Sequence, residues 1–120
     1  MERYLMTESE KIQLYKKTDK ETLIAALTAE EEVKKGNTLA MSLLGLFYKQ
    51  DIENPTKALY WWMKAAEAGD PDGLYFLGEC YINGYVVPEN CEEGYKLIQQ
   101  AAQKGCEAAK KALECAGEDY

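Results

Sequence analysis

The sequence predicts an all-α fold, a short right-handed α/α solenoid of antiparallel helix pairs with about seven helices. Three observations carry this expectation. The stretch from Lys57 to Gly69 reads as one amphipathic helix with its stop signal attached. Ala58, Trp61, Trp62, Ala65 and Ala66 fall at the i, i+3, i+4, i+7, i+8 spacing of a single buried face, and Gly69 can take the left-handed conformation that ends a helix. Thirty-six residues on, Glu93 to Gly105 repeats the plan with Leu97, Ile98, Ala101 and Ala102. Leu44-Gly45-Leu46-Phe47-Tyr48 likewise recurs 33 residues later as Leu77-Gly78-Glu79-Cys80-Tyr81. A period of this size, with two helices per unit, is the mark of a helical solenoid.

Taken in order, residues 1–7 read as a frayed start and Glu8 to Lys17 as a weak helix carrying Ile12, Leu14 and Tyr15. Thr18-Asp19 breaks it, with Asp19 placed to cap the next helix. That helix, Glu21 to Lys35, sets Leu23, Ile24, Leu27 and Val33 on one side and Glu30-Glu31-Glu32 toward water, a solvated face rather than a metal site. Gly36-Asn37 stops it. Thr38 to Lys49 follows, with Ala40, Met41, Leu44 and Tyr48 together and Gly45 inviting close approach by a neighbouring backbone. Gln50 to Asn54 reads as a short loop, and Pro55 suits the first turn of the tryptophan helix. Asp70-Pro71-Asp72 opens the next helix, whose packing stripe is Gly73, Leu77, Gly78 and Tyr81. The longest loop is Asn83 to Asn90. Helices from about Cys91 to Lys104 and from Glu107 to Ala116 complete the chain, with Gly117 to Tyr120 as a tail.

The 120 residues suit one domain, and the composition is that of a globular protein. No apolar run approaches the roughly 20 residues that span a bilayer, and the charged start lacks a signal-peptide core, so a cytoplasmic location is expected. Twenty-one acidic against 14 basic residues give a net charge of −7. That disfavours nucleic acid and anionic membranes, is compatible with a basic protein partner, and equally suits an acidic surface kept for solubility. The oligomeric state is not encoded in any of these features. Cys80, Cys91, Cys106 and Cys115 form no Cys-x-x-Cys pair. Cys106 and Cys115 would lie about 13 Å apart along a continuous helix, too far for a disulfide. The cysteines therefore read as reduced thiols, although a bridge involving Cys80 or Cys91 stays open.

The repeating residues resemble the Sel1-like repeat family, a relative of the tetratricopeptide repeat. Its motif runs Ala-x3-Leu-Gly-x2-Tyr-x2-Gly-x-Gly-Val-x2-Asp-x2-Lys-Ala-x2-Trp-Tyr-x-Lys-Ala-Ala-x2-Gly. One unit here supplies Ala40, Leu44, Gly45, Tyr48, Lys57, Ala58, Trp61, Trp62, Lys64, Ala65, Ala66 and Gly69. The next supplies Leu77, Gly78, Tyr81, Gly84, Val87, Ala101, Ala102 and Gly105, but has Val86 and Asn90 where the motif has its second glycine and its aspartate. The resulting division is a degenerate first unit or cap (1–36), repeats at 37–69 and 70–105, and a C-terminal capping helix with its tail (106–120).

Catalysis is not expected. The chain has no histidine, which removes serine–histidine and cysteine–histidine nucleophile systems, and no phosphate-cradling glycine loop is present. No cofactor or metal is called for. The resemblance implies recognition instead, with the first helix of each unit lining a concave surface. Candidate partner contacts are then Ser42, Leu46 and Lys49 in one unit, Tyr75, Glu79 and Ile82 in the next, and Lys111 beyond them. Tyr75 stands out as an aromatic anchor, unless it packs against its own neighbours. The resemblance implies a scaffold or adaptor. The alternative is an immunity or inhibitor protein that neutralises a basic toxin, for which small size and acidity argue.

Overall fold

The computed structural model describes residues 4–115 and 117. Among these, seven α-helices follow one another: α1 (Glu8–Lys17), α2 (Lys20–Lys34), α3 (Thr38–Phe47), α4 (Pro55–Glu67), α5 (Pro71–Asn83), α6 (Cys91–Gln103) and α7 (Glu107–Cys115). Each packs on the next, α5 against α6 most extensively, and the first helices α3 and α5 also touch directly. The result is an all-α solenoid.

Local chemistry sets most of the boundaries. Thr7 and Glu10 form a reciprocal capping box at α1. Asp19, Asn37, Asn54, Asp70 and Asn90 each accept a backbone N–H in the first turn of α2 to α6. Pro55 and Pro71 open α4 and α5, where a missing N–H costs nothing. Gly69 closes the tryptophan helix with φ +84°.

Two clusters fill the interior. The first gathers Leu14, Val33, Leu44, Tyr48, Trp61 and Trp62, all essentially inaccessible to solvent. The second is built of smaller groups, among them Leu74, Ile98, Ala101, Ala102, Ala109 and Leu113. The helices approach closely where side chains are absent. A Cβ on Gly73 would lie 2.8 Å from the Ala66 nitrogen, and one on Gly78 would lie 2.9 Å from the Gly94 oxygen. In the α5 stripe Gly73 and Gly78 are buried as expected, whereas Leu77 and Tyr81 are half-buried and Leu74 and Cys80 complete the covered face.

Four expectations are corrected. Tyr4 to Thr7 is docked rather than frayed. The Tyr4 carbonyl accepts from the Tyr48 hydroxyl (2.9 Å) and the Trp61 indole (2.8 Å), its ring stacks on Tyr60, and Met6 is buried. Glu30 does not face water: it is 3% exposed and accepts the Met6 N–H at 2.7 Å. Ile24 lies outside the core, 51% exposed. Finally, Tyr48–Ile52 is a π-helical turn continuing α3, not a loop, and it ends at Glu53 in the left-handed conformation. Residues 1–3, the end of the last helix at Ala116 and the tail beyond Gly117 lie outside the described residues.

Candidate functional site

A cavity of about 150 Å³ opens between the π-helical turn that continues α3, the Trp62 face of α4, α5 and the loop after α5, lined by Lys49, Trp62, Phe76, Glu79, Cys80, Asn83 and Tyr85. The π-helical turn carries Lys49 to one rim, and α5 supplies Phe76, Glu79, Cys80 and Asn83. Tyr85 is positioned by its backbone, whose N–H donates to the Cys80 carbonyl at 2.9 Å, while the Asn90 N–H reaches the Tyr81 carbonyl at 2.8 Å to close the loop. The aromatic wall is ordered by mutual contact. Trp62 stacks on Phe76 with centroids 5.2 Å apart, and Tyr85 tilts toward Trp62 at 6.3 Å. The Lys49 ammonium stands 5.3 Å from the centre of the Tyr85 ring, within cation–π range.

The electrostatics suit binding better than nucleophilic chemistry. Burial, partly countered by Lys49 and reinforced by Glu79, pushes the Cys80 thiol up to about 11, so it stays protonated at neutral pH. Burial also raises Tyr85. Among the described residues no cluster of three His, Cys, Asp or Glu side chains could hold a metal ion, and no helix is long and apolar enough to cross a membrane. All four cysteines are free thiols, Cys80 and Cys106 buried and Cys91 and Cys115 exposed.

The seven expected contact residues are scattered. Lys49 and Glu79 meet at the cavity. Leu46 is half-buried against the first core cluster. Tyr75 is half-buried too, tilted against Phe76 at 5.4 Å, and pushed up to about 12 by burial and by the Glu79 carboxylate. Lys111 is exposed on α7, away from the cavity. Two residues are corrected. Ser42 is 1% exposed, and its hydroxyl donates to the Asp70 carboxylate at 2.8 Å, a bond that braces the cap of α5. Ile82 is half-buried rather than freely exposed, its side chain lying over Gly94 where a Cβ would meet it at 2.7 Å. The sequence reading missed Trp62, Phe76, Cys80, Asn83 and Tyr85. Of these, only Tyr85 carried a signal, an aromatic in the longest loop.

Comparison with known proteins places this geometry in context. The Sel1 repeat family model matches residues 38–70 and 71–106. The chain is 41% identical over 59 residues to an ERAD-associated E3 ubiquitin-protein ligase component of Arabidopsis thaliana, covering 46% of this chain and 9% of that protein. It is 33% identical over 97 residues to the rat DAP3-binding cell death enhancer 1, covering 80% of this chain and 19% of that protein. An F-box protein of Arabidopsis thaliana is 37% identical over 79 residues, 66% of this chain and 22% of its own length. The chain thus spans less than a quarter of each of these relatives. The crystal structure of a Sel1 repeat protein from Oxalobacter formigenes superposes with a TM-score of 0.73 at 24% identity, covering 93% of this chain and 47% of that one.

Proposed function

The chain belongs to the Sel1 repeat family, and on that premise we propose that it is a non-catalytic scaffold or adaptor that holds a segment of a protein partner along its first helices. Sel1 repeats are protein-interaction modules, and the curated relatives include a ligase component and a protein named for binding another. The observation that carries the reading is the cavity between α5 and the turn that continues α3. Its aromatic wall and its rim of one cation and one anion suit a single anchoring side chain, and about 150 Å³ is room for no more than that. Of the other expected contacts, Leu46 on α3 and Tyr75 on α5 are half-buried and Lys111 is exposed on α7, so the reading rests on the cavity rather than on them.

The net charge of −7 supports a basic partner, which it would steer toward the chain. The same charge is what supports the second reading, an inhibitor of a basic toxin. Four free thiols suit a reducing compartment such as the cytosol.

Affinity capture with the wild-type chain and with Tyr85→Ala and Lys49→Glu, at low and high salt, tests the proposal. Loss of the captured protein on either variant, with the circular dichroism unchanged, supports the site. One tight, salt-sensitive, basic partner identifies an inhibitor, and several weaker ones identify an adaptor. Capture that neither substitution affects would remove the cavity from the function.

A further inference from the structure

The first helix pair leaves an apolar groove open at the opposite end of the chain from α7. Ile12 and Tyr15 on α1 face Leu23, Ile24 and Leu27 on α2, across two adjoining hollows that share Tyr15 and Leu23. Three of these side chains are largely in water, Ile12 at 55%, Tyr15 at 72% and Ile24 at 51% exposure. Helix pairs of a solenoid cover such faces by stacking, and none of the described residues stacks here.

The charge around the groove differs from that of the rest of the molecule. Residues 8–27 hold four lysines and four acidic residues, so the net −7 falls entirely on the remainder of the chain. Three of the four acids in that segment are engaged, Asp19 at the groove itself, while Glu21 has no ion-pair partner among the described residues. Glu10 is bound to Lys57, Asp19 accepts the Thr22 N–H, and Glu8 lies beside Lys11. Lys16 and Lys20, both lining the groove, have no carboxylate partner among the described residues. An apolar floor with unpaired cations at its edge calls for an occupant with an apolar stripe and an acidic border.

From this we infer that the α1–α2 groove docks an acidic amphipathic helix of a partner protein, a second contact surface separate from the α3–α5 cavity. The floor lies between two helices, the setting in which a third helix packs through i, i+3, i+4 and i+7 anchors. Head-to-tail stacking of a second copy lacks a matching face, since among the described residues no exposed large hydrophobic lies on α6 or α7. Two copies of this groove face to face would oppose Lys16 and Lys20 to their own kind.

A displayed library of helical peptides, with acidic, neutral and basic borders around a fixed apolar stripe, is selected on the full chain. The expected winners carry Asp and Glu beside the stripe and bind more weakly as salt rises. Ile24→Glu and Tyr15→Glu, at positions exposed enough to leave the urea melt unchanged, should each weaken them roughly tenfold or more. Lys16→Glu together with Lys20→Glu should turn the selection toward basic peptides. Winners with basic borders, winners indifferent to Ile24→Glu and Tyr15→Glu, or no enrichment at all would overturn the inference. So would a concentration-dependent dimer of the wild-type chain that Ile24→Glu abolishes.

Discussion

The indole of Trp62 lies across the bare Cα of Gly45, so α4 rests its largest side chain on a position of α3 that has none. A Cβ there would fall 2.7 Å from the indole Cδ1 and 2.9 Å from Cε2. The ring cannot easily withdraw, because its N–H donates to the Ser42 carbonyl at 3.2 Å and its other side stacks on Phe76. Gly45→Ala gains about 1 kcal/mol in helix propensity but incurs an overpacking cost of about 1–3 kcal/mol. The rigid indole makes the second effect win. A urea melt should show a net loss of up to about 2 kcal/mol, and a raised midpoint would mean the ring is free to move.

Trp61 is the other indole of α4, fully buried, with its N–H on the Tyr4 carbonyl at 2.8 Å. Truncation to alanine costs about 3–5 kcal/mol for a buried aromatic, against a total stability of about 5–15 kcal/mol for a domain. Trp61→Ala should therefore lose about 3–5 kcal/mol in a urea melt, roughly a third or more of the stability of a domain in the lower half of that range. Trp61→Phe should cost much less, since the Tyr4 carbonyl keeps the Tyr48 hydroxyl as a donor. An unchanged melt for the alanine variant would place Trp61 outside the core.

Acid sensitivity should concentrate on Glu10. Burial works against its ionised form, but the Lys57 ammonium at 2.7 Å, the Thr7 N–H and the Asn54 amide outweigh it and hold the carboxyl below its ordinary 4.5. A carboxyl depressed on folding contributes its stability above the unfolded pKa and loses it as pH falls through the folded one. Glu10→Gln should therefore cost about 1–2 kcal/mol at pH 7 and progressively less below about pH 4.5. Urea melts across that window measure it, and a gap between the two proteins that persists at pH 2 would refute the assignment.

How far the sequence could be read depended on the range of the cause. Asp19, Pro55 and Asp70 announce their helices because a cap acts within three residues, and Trp61 and Trp62 announce the core because α4 is strongly periodic. Glu30 looked like one of three surface acids because its partner, the Met6 N–H, is 24 residues away. Ser42 looked like a surface contact for the same reason, its Asp70 partner being 28 residues on. Five of the seven residues lining the cavity escaped notice, because Phe76 and Cys80 meet Lys49 only once α5 and the turn after α3 are side by side. The π-helical turn at Tyr48–Ile52 leaves no local mark at all, since it shifts hydrogen bonds without altering composition.

The thiols offer a direct check on the packing. Cys91 and Cys115 are exposed, while Cys80 and Cys106 are buried and raised by that burial, Cys80 up to about 11. Under native conditions at pH 8 a thiol reagent should label Cys91 and Cys115 quickly and Cys80 and Cys106 only at the rate of unfolding. Between the fast pair Cys91 should lag, because partial desolvation and the Glu89 carboxylate 3.6 Å from its sulfur raise it. Rapid labelling of Cys80 would mean the α3–α5 cavity opens far more readily than its aromatic wall suggests.

Val86 carries a strain the repeat pattern explains. It stands where the family motif has its second glycine, and it adopts φ +70°, a conformation glycine takes freely and a β-branched residue does not. The left-handed region costs an L-residue about 1–2 kcal/mol, whereas glycine's extra backbone entropy costs about 0.5–1 kcal/mol. The side chain is 47% exposed, so deleting it uncovers little apolar surface. Val86→Gly should therefore raise stability by about 0.5–1 kcal/mol in a urea melt, while Val86→Ala, which keeps its Cβ, should gain less. Because the Tyr85 N–H would still be held by the Cys80 carbonyl, the cavity should keep its shape and the proposed partner its affinity. A lowered midpoint for Val86→Gly would show that this loop is held by the valine side chain rather than in spite of it.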